Sequence, residues 1–483
     1  MDQLADRALT ALDRQLALVG FMGAGKSTLG PELAERLGRP FVSVDALVEE
    51  RSRRAVAEIF ETDGEAGFRE LEEEVAVDVL GRRELAVVEV GGGALGSERT
   101  RSALAGSAFT LLLETTPEDA WQRVAGSGRP LARDRESFDT LFAERAPLYE
   151  QAADGTASDL EGAVLAAAGV HVEDGSLGKL ADLIPGEGPL ALVADATVAR
   201  LHGGAVRSAL GDRLVSAHDV PAGEPAKSLA VVERLSSELR LERTGTLVAL
   251  GGGSALDLAG FVASTYLRGV PWVPVPTSLV AQVDAAIGGK TAVDVPQGKN
   301  LVGAFHWPAR VVVDTSALDT LPPEELDNGL AEVVKTGLLL GEPLWELERG
   351  AQVRRCAAFK AGVCLRDPFD RGERAQLNLG HTFAHALEAA SDFALPHGRA
   401  VGLGLVAALR LSGLQDELRT VEEVLRPEPV HVDREAAWAA LGRDKKSEHG
   451  SVRLVLLEAP GRARWGVEIA PGELRKALES LIA

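Results

Sequence analysis

Aromatic side chains make up only 4% of the 483 residues, cysteine occurs twice, and lysine contributes just ten of 51 basic residues. Each scarcity excludes something. Cys356 and Cys364 stand eight residues apart in a helical-looking run, about 12 Å along one helix and too far to bridge. Nothing therefore requires an oxidising compartment. Acidic residues number 72, for a net charge of −21, and such a surface repels nucleic acid and anionic lipid. No apolar stretch reaches the ~20 residues that a membrane span needs. The first fifteen residues lack the basic start and apolar core of a secretory signal. A cytoplasmic protein acting on small molecules is expected.

What is present is ample aliphatic material. With 46% apolar and 25% charged residues, the composition suits globular α/β domains, and at roughly 100–200 residues per domain the length predicts about three. Short aliphatic runs ending in glycine alternate with amphipathic stretches, the rhythm of parallel βαβ units. Runs at 16–19, 87–90 and 110–113 read as buried strands of a first α/β domain over 1–168. After an Ala/Gly/Asp/Ser-rich junction the rhythm restarts at 190–195 and continues to 310–315, giving a second α/β domain over 169–321. Long periodic stretches then predict a mostly helical domain over 322–483. Because the background uses arginine wherever any cation will serve, the few lysines are suspects for phosphate contacts and proton relay.

Residues 20–28 read GFMGAGKST, directly after the 16–19 strand and before a helical pattern. This is a P-loop in its required strand-loop-helix context. The backbone of Gly23, Ala24, Gly25 and Thr28 suits the phosphates of ATP, Lys26 their outer charge and Ser27 a Mg²⁺ ion. Pro31, about a turn into the helix, predicts a local distortion. Five segments follow: Phe41-Val-Ser-Val-Asp45, Asp63–Glu70 with Arg69, Gly91–Gly93, Gly128–Leu131 with Arg129, and Glu144–Tyr149 with Arg145. Over roughly 14–168 the chain thereby resembles shikimate kinase. The resemblance implies a parallel-sheet kinase that phosphorylates the shikimate 3-hydroxyl. Asp45 would grip substrate hydroxyls and assist deprotonation, while Arg69 and Arg145 clamp the carboxylate bidentately. Gly91, Gly92 and Gly93 would line the pocket, Arg129 would meet the phosphates from a lid, and Arg123 would lie beside the adenine. One departure stands out. The related kinases carry aspartate two residues before the substrate-binding one, where it supports Mg²⁺, and this chain has Ser43. Two readings stay open, an active kinase and a nucleotide-binding module with little turnover.

Further on, Leu247-Val-Ala-Leu250 runs into Gly251–Gly253, a bare-backbone turn at a helix start that suits a pyrophosphate. Lysines and an aspartate near later turns, Asp284, Lys290 and Lys299, imply a second anionic ligand. The helical third offers metal ligands in Glu332, His381, His385 and His397. Spacing alone pairs His381 with His385, at i and i+4 on one helix face, around Zn²⁺, with Glu332 or His397 completing the set. The segments GGGSALDLAGF, PTSLVAQVDAAIGGKTAVD, NGLAEVVKTG, RAQLNLGHTFAHALE and HGRAVG resemble 3-dehydroquinate synthase from about 170 to 483.

That resemblance implies a Rossmann-like NAD-binding domain, a helical metal-binding domain and a homodimer. It assigns the metal, zinc or another divalent ion, to Glu332, His381 and His397, and releases His385 to the substrate phosphate and proton traffic. It sets Asp195, Glu224, Lys227, Gly252, Gly253, Asp257, Thr277, Ser278 and Lys299 around NAD. Around the substrate it sets Arg268, Asp284, Lys290, Asn300, Lys335, Lys360, Arg374, Asn378, His385 and one of Lys445 or Lys446. Asp284, Lys290, Lys335 and His385 would take part in catalysis. The implied reaction oxidises an alcohol of 3-deoxy-D-arabino-heptulosonate 7-phosphate transiently, eliminates phosphate, returns the hydride and closes an aldol ring to 3-dehydroquinate. One chain is thus expected to hold two reactions of aromatic precursor synthesis, joined by co-expression rather than channelling.

Overall fold

The computed structural model describes residues 10–126, 134–443 and 452–483. Arg129, Lys445 and Lys446 lie outside the described residues. The chain divides into two compact units, 1–171 and 172–483.

The first unit is built on β1 (Gln15–Val19), β2 (Phe41–Ser43), β3 (Val87–Glu89), β4 (Ala108–Leu113) and β5 (Gly155–Ala157), in the order β2-β3-β1-β4-β5. Every pairing is parallel. Such a sheet is covered on both faces, so β1 is a continuous apolar run with all five residues buried rather than an alternating one. Aromatic packing contributes here, Phe21 and Trp121 both meeting Phe138 edge-on at 5.0 and 5.1 Å. The P-loop leaves the C-terminal end of β1, and Gly25, with φ 97°, caps the helix Lys26–Leu37 in the left-handed conformation open to glycine. That helix continues across Pro31, so the expected distortion does not interrupt it. Proline removes only its own N–H bond there.

In the second unit, after a short strand β6 (Val170–Val172) at the division, come β7 (Leu190–Asp195), β8 (Leu214–Val220), β9 (Thr246–Gly251) and β10 (Trp272–Pro276). They pair in parallel in the order β10-β9-β7-β8. The chain moves outward from β7 to β8 and then returns across β7 to β9. The sheet therefore has its topological switch point between β7 and β9, where ligands of open α/β sheets sit. A hairpin of β11 (Lys290–Val295) and β12 (Gly298–Phe305) follows, then β13 (Val311–Val313).

The rest is mostly helical, with one further hairpin, β14 (Arg453–Ala459) and β15 (Arg462–Glu468). Its longest helices include Pro323–Leu340, which opens on proline with Glu324 and Glu325 in the first turn and stops at Gly341, φ 74°. Ala331, Val334, Leu338, Phe383, Leu387, Val401 and Leu405 share its core. Both cysteines are free and buried on the helix Arg349–Arg366. Among the described residues no helix is long and apolar enough to cross a membrane. The molecule is a mixed α/β protein, with a kinase-like parallel sheet in one unit and a Rossmann-like sheet plus a helical region in the other.

Candidate active sites

In the first unit, three segments meet at the C-terminal edge of the sheet. Lys26 is buried, its Nζ donating to the Gly20 and Phe21 carbonyls at 2.6 and 3.2 Å. Ser27 Oγ donates to Glu89 Oε1 at 2.5 Å. The Arg123 guanidinium donates to the Gly23 carbonyl of the P-loop at 3.0 Å.

The Gly91–Gly93 turn forms the floor of the neighbouring pocket, and side-chain tips approach Gly91 and Gly93 so closely that a Cβ at either would displace them. One on Gly91 would lie 1.9 Å from Glu72 Oε1 and 3.1 Å from Asp45 Oδ1, and one on Gly93 would lie 2.2 Å from the Arg69 guanidinium. Gly92 sits against the P-loop, its Cβ direction 3.4 Å from the Met22 nitrogen, and its carbonyl accepts from Arg145 Nη1 at 3.0 Å and from the Tyr149 hydroxyl. Asp45, Arg69, Arg145 and the triple glycine are thus brought together next to the phosphate loop. The two guanidiniums have acidic neighbours of their own: Arg69 meets Glu72 at 2.6 Å and Glu65 at 3.0 Å, and Arg145 lies 3.9 Å from Glu65. Burial pushes the Glu72 carboxyl above its ordinary value, against the pull of Arg69. Glu65, Arg69, Glu72, Gly92, Gly93, Arg145 and Tyr149 line a cavity of 810 Å³.

In the second unit the glycine turn after β9 lies at the switch point: a Cβ on Gly251 would sit 3.1 Å from Asp195 Cβ at the end of β7. Asp195 Oδ1 accepts from the Thr197 and Val198 amides at 2.8 and 3.2 Å, and Oδ2 from the Gly223 amide at 3.2 Å. A Cβ on Gly252 would lie 3.4 Å from Ser278 Oγ, and the amide of Thr277 donates to the Gly251 carbonyl at 3.0 Å. Beside this turn, buried Lys227 donates to Asp257 Oδ2 at 2.7 Å and to Asn300 Oδ1, and Lys299 meets Glu224 at 3.4 Å. The residues expected around NAD thus lie near one another, in contacts that run from Asp195 and the glycine turn to Gly223, Glu224 and Lys227.

Gly253 touches the next layer, its Cβ direction 3.4 Å from Ala285 in the π-helical turn Ala281–Ala285. From that turn Asp284 pairs with Lys360 at 2.8 Å and lies 3.8 Å from Lys335. Lys335 pairs in turn with Glu332, one helical turn back on Pro323–Leu340. Glu332 Oε1 stands 3.3 Å from His381 Nε2 and 3.2 Å from His397 Nε2. Ligand atoms of these three residues all lie within 4.8 Å of one another. Burial opposes the Glu332 charge, but Lys335, His381 and the bonds to both imidazoles hold its carboxyl well below the ordinary range. His397 also meets Glu388 Oε1 at 3.0 Å through Nδ1, and its two carboxylate partners outweigh burial and raise it to about 10. An anionic oxygen and two imidazole nitrogens at the start of two helices fit a divalent metal. His385 is exposed, its ring 5.5 Å from that of His381, and lies outside the Glu332–His381–His397 cluster, although the i, i+4 spacing alone had placed it among the ligands.

Other expected residues are placed less simply. Lys290 meets Asp370 at 2.6 Å. Arg374 is 2% exposed, and its guanidinium donates to the Pro368 and Gly288 carbonyls at 3.0 and 2.9 Å. Asn378 Nδ2 donates to the Ala375 carbonyl at 3.0 Å in the turn just before His381. Arg268 is not brought to the site within this chain. It is exposed in the turn after the helix Gly253–Thr265, roughly 20 Å from the glycine turn at 1.5 Å per residue.

Sequence reasoning missed four acids, Glu72, Glu89, Glu388 and Asp370, each seated on a residue it did single out. Only Glu89 left a signal, a charge interrupting the buried strand run VVEV.

The two units define a P-loop phosphotransferase and a Rossmann-type enzyme with a carboxylate–imidazole metal site, carried on one chain. Residues 22–167 match the family model for shikimate kinase, 217–328 that for the 3-dehydroquinate synthase N-terminal domain and 329–447 that for its C-terminal domain. The 3-dehydroquinate synthase of Symbiobacterium thermophilum is 44% identical over 321 residues, covering 60% of this chain and 90% of the relative. That of Gloeobacter violaceus is 43% identical over 348 residues, covering 65% and 96%. A solved 2-epi-5-epi-valiolone synthase from Streptomyces hygroscopicus, with NAD⁺ and Zn²⁺ bound, is 26% identical with a TM-score of 0.59, covering 65% of this chain and 96% of its own. The chain belongs to the 3-dehydroquinate synthase family, with a shikimate kinase domain ahead of the synthase, and is a bifunctional enzyme of the shikimate pathway.

Proposed function

We propose that residues 1–168 phosphorylate shikimate with ATP and Mg²⁺, that 169–321 hold NAD, and that 322–483 hold a divalent metal and most of the substrate contacts. The observation that carries the synthase reading is the Glu332 carboxylate, one oxygen of which faces two imidazoles at 3.2 and 3.3 Å. Glu332, His381 and His397 would hold the metal, and the crevice between Asp195 and Gly251–Gly253 would take the dinucleotide. When bound, the metal supplies Lewis acidity and NAD a reversible hydride acceptor. The chain supplies the rest. Lys335, fixed between Glu332 and Asp284, offers a buried cation at a substrate oxygen. Lys290, Lys360, Asn300, Asn378 and His385 surround the carboxylate and phosphate of the sugar acid. Arg374 has five N–H donors, of which two are held by carbonyls, and the others remain to orient an anion. Outside the described residues, Lys446 and Arg129 keep the roles the resemblance implies.

In the kinase unit, Arg69 and Arg145 clamp the acceptor's carboxylate, and Asp45, beside Gly91, takes the proton from its hydroxyl. Lys26 leaves its two carbonyls for the phosphates as the loop closes on nucleotide, since phosphoryl transfer asks mainly for positioning and charge neutralisation. Two free cysteines support a cytoplasmic setting, and exposed Arg268 supports a homodimer in which it serves the partner's site. The test is product analysis of the full chain. The synthase reading requires equal release of phosphate and dehydroquinate with no net NADH, whereas a simple polyol dehydrogenase accumulates NADH. The kinase reading requires shikimate-dependent ADP formation.

A further inference from the structure

The kinase unit contains a carboxylate to which the family resemblance gives no role. Glu89 ends β3 in the otherwise apolar run Val87-Val88-Glu89-Val90. Its Oε1 accepts from the hydroxyl of Ser27, the P-loop residue suited to Mg²⁺, at 2.5 Å. Among the described residues no lysine, arginine or histidine forms an ion pair with it. In the sheet register Glu89 is the partner of Leu18 on β1 and of Ser43 on β2. Register partners on neighbouring strands project from the same face about 4.8 Å apart. The position where related kinases have a metal-supporting aspartate, here Ser43, is thus the immediate lateral neighbour of Glu89. Asp45 lies at the acceptor pocket, its Oδ1 3.1 Å from where a Cβ on Gly91 would sit.

P-loop enzymes commonly hold the nucleotide's cation with the loop hydroxyl and a carboxylate at the end of an adjacent strand. A hydroxyl and a carboxylate oxygen in contact are the hard donors that Mg²⁺ takes, directly or through its waters. We propose that Glu89, acting with Ser27, supports the cation of the bound nucleotide, so that the charge missing at position 43 is supplied from the adjacent strand. The chain is then an active kinase with a relocated carboxylate rather than a weakened nucleotide binder.

The inference rests on the kinase reading, and the two are separable. Shikimate-dependent ADP formation by the wild type tests that reading, whereas cation binding tests this one without turnover. The experiment titrates Mn²⁺ into the full chain with ADP, followed by electron paramagnetic resonance, for wild type, Glu89→Gln and the exchange variant Ser43→Asp/Glu89→Ser. Circular dichroism and the kinase unit's own unfolding transition report that each variant is folded. Expected is a loss of Mn²⁺ affinity of about tenfold or more in Glu89→Gln, ADP affinity in EDTA unchanged, the Mg²⁺ requirement of the kinase raised in parallel, and recovery in the exchange variant. Wild-type Mn²⁺ affinity in Glu89→Gln, an ADP defect that persists in EDTA, or a folded exchange variant without recovery would overturn it. Should Glu89→Gln fail to fold, the exchange variant decides alone.

Discussion

The two active sites solve the binding of small anions in opposite ways. The kinase site is largely backbone: a P-loop and a triple glycine, with guanidiniums paired to acids at the rim. The synthase site is largely side chain. Asp284, Lys360, Lys335, Glu332, His381 and His397 form an unbroken run of charge contacts, with Lys335 and Glu332 at 2% and 1% exposure. Backbone donors cost no buried charge, whereas each member of the second network is tolerable only while its partner is present. Substitution should therefore cost mainly function and less stability in the first site, and function together with much more stability in the second.

The largest expected effect is at Glu332. Glu332→Ala should remove the metal by elemental analysis, take synthase turnover to background, and cost about 3–5 kcal/mol in denaturant unfolding, because Lys335 is left buried and unpaired. Adding Lys335→Met should recover much of that stability and none of the turnover. Equal stability of the single and double variants would show that the network is not coupled. Lys26→Met should lower kinase kcat roughly 10²–10³-fold, the scale of losing one preorganised charge at a transferring group. Its unfolding cost should be smaller, about 1–3 kcal/mol for carbonyls left without their donor.

A finer contrast lies within the kinase pocket. Gly93→Ala puts a methyl where the Arg69 guanidinium lies and should raise the shikimate KM roughly tenfold, about 1.4 kcal/mol, while the ATP KM holds. An equal rise in both would mean that the turn shapes the whole loop rather than the acceptor clamp. The smallest effect concerns the cysteines. Burial pushes the Cys356 thiol up to about 12 and raises Cys364 in the same direction. Both thiols are raised above the ordinary range, so at pH 8 neither should react with a thiol reagent until the chain is unfolded.

How much was readable beforehand follows the same division. The P-loop, the glycine turns and the parallel strands are local patterns, and they appear where the sequence puts them. Some strands were less legible. The β11–β12 hairpin was missed because its glycine, lysine and asparagine read as turn residues, although they lie at the strand starts. The metal triad is not local: His397 and Glu332 sit on separate helices from His381, and the i, i+4 rule alone pointed to His385. Glu72 and Glu388 were hidden because acids at helical spacing are commonplace in a chain with 72 of them. Only packing reveals which ones turn inward. Arg374 shows the reverse, since part of its guanidinium serves backbone carbonyls that no motif records.

The independence of the two sites is tested most directly by crossed kinetics on the full chain, the kinase rate of Glu332→Ala and the synthase rate of Lys26→Met. Both should equal those of the wild type while the other activity of each variant is lost. A folded variant in which either substitution silences both reactions would contradict the account.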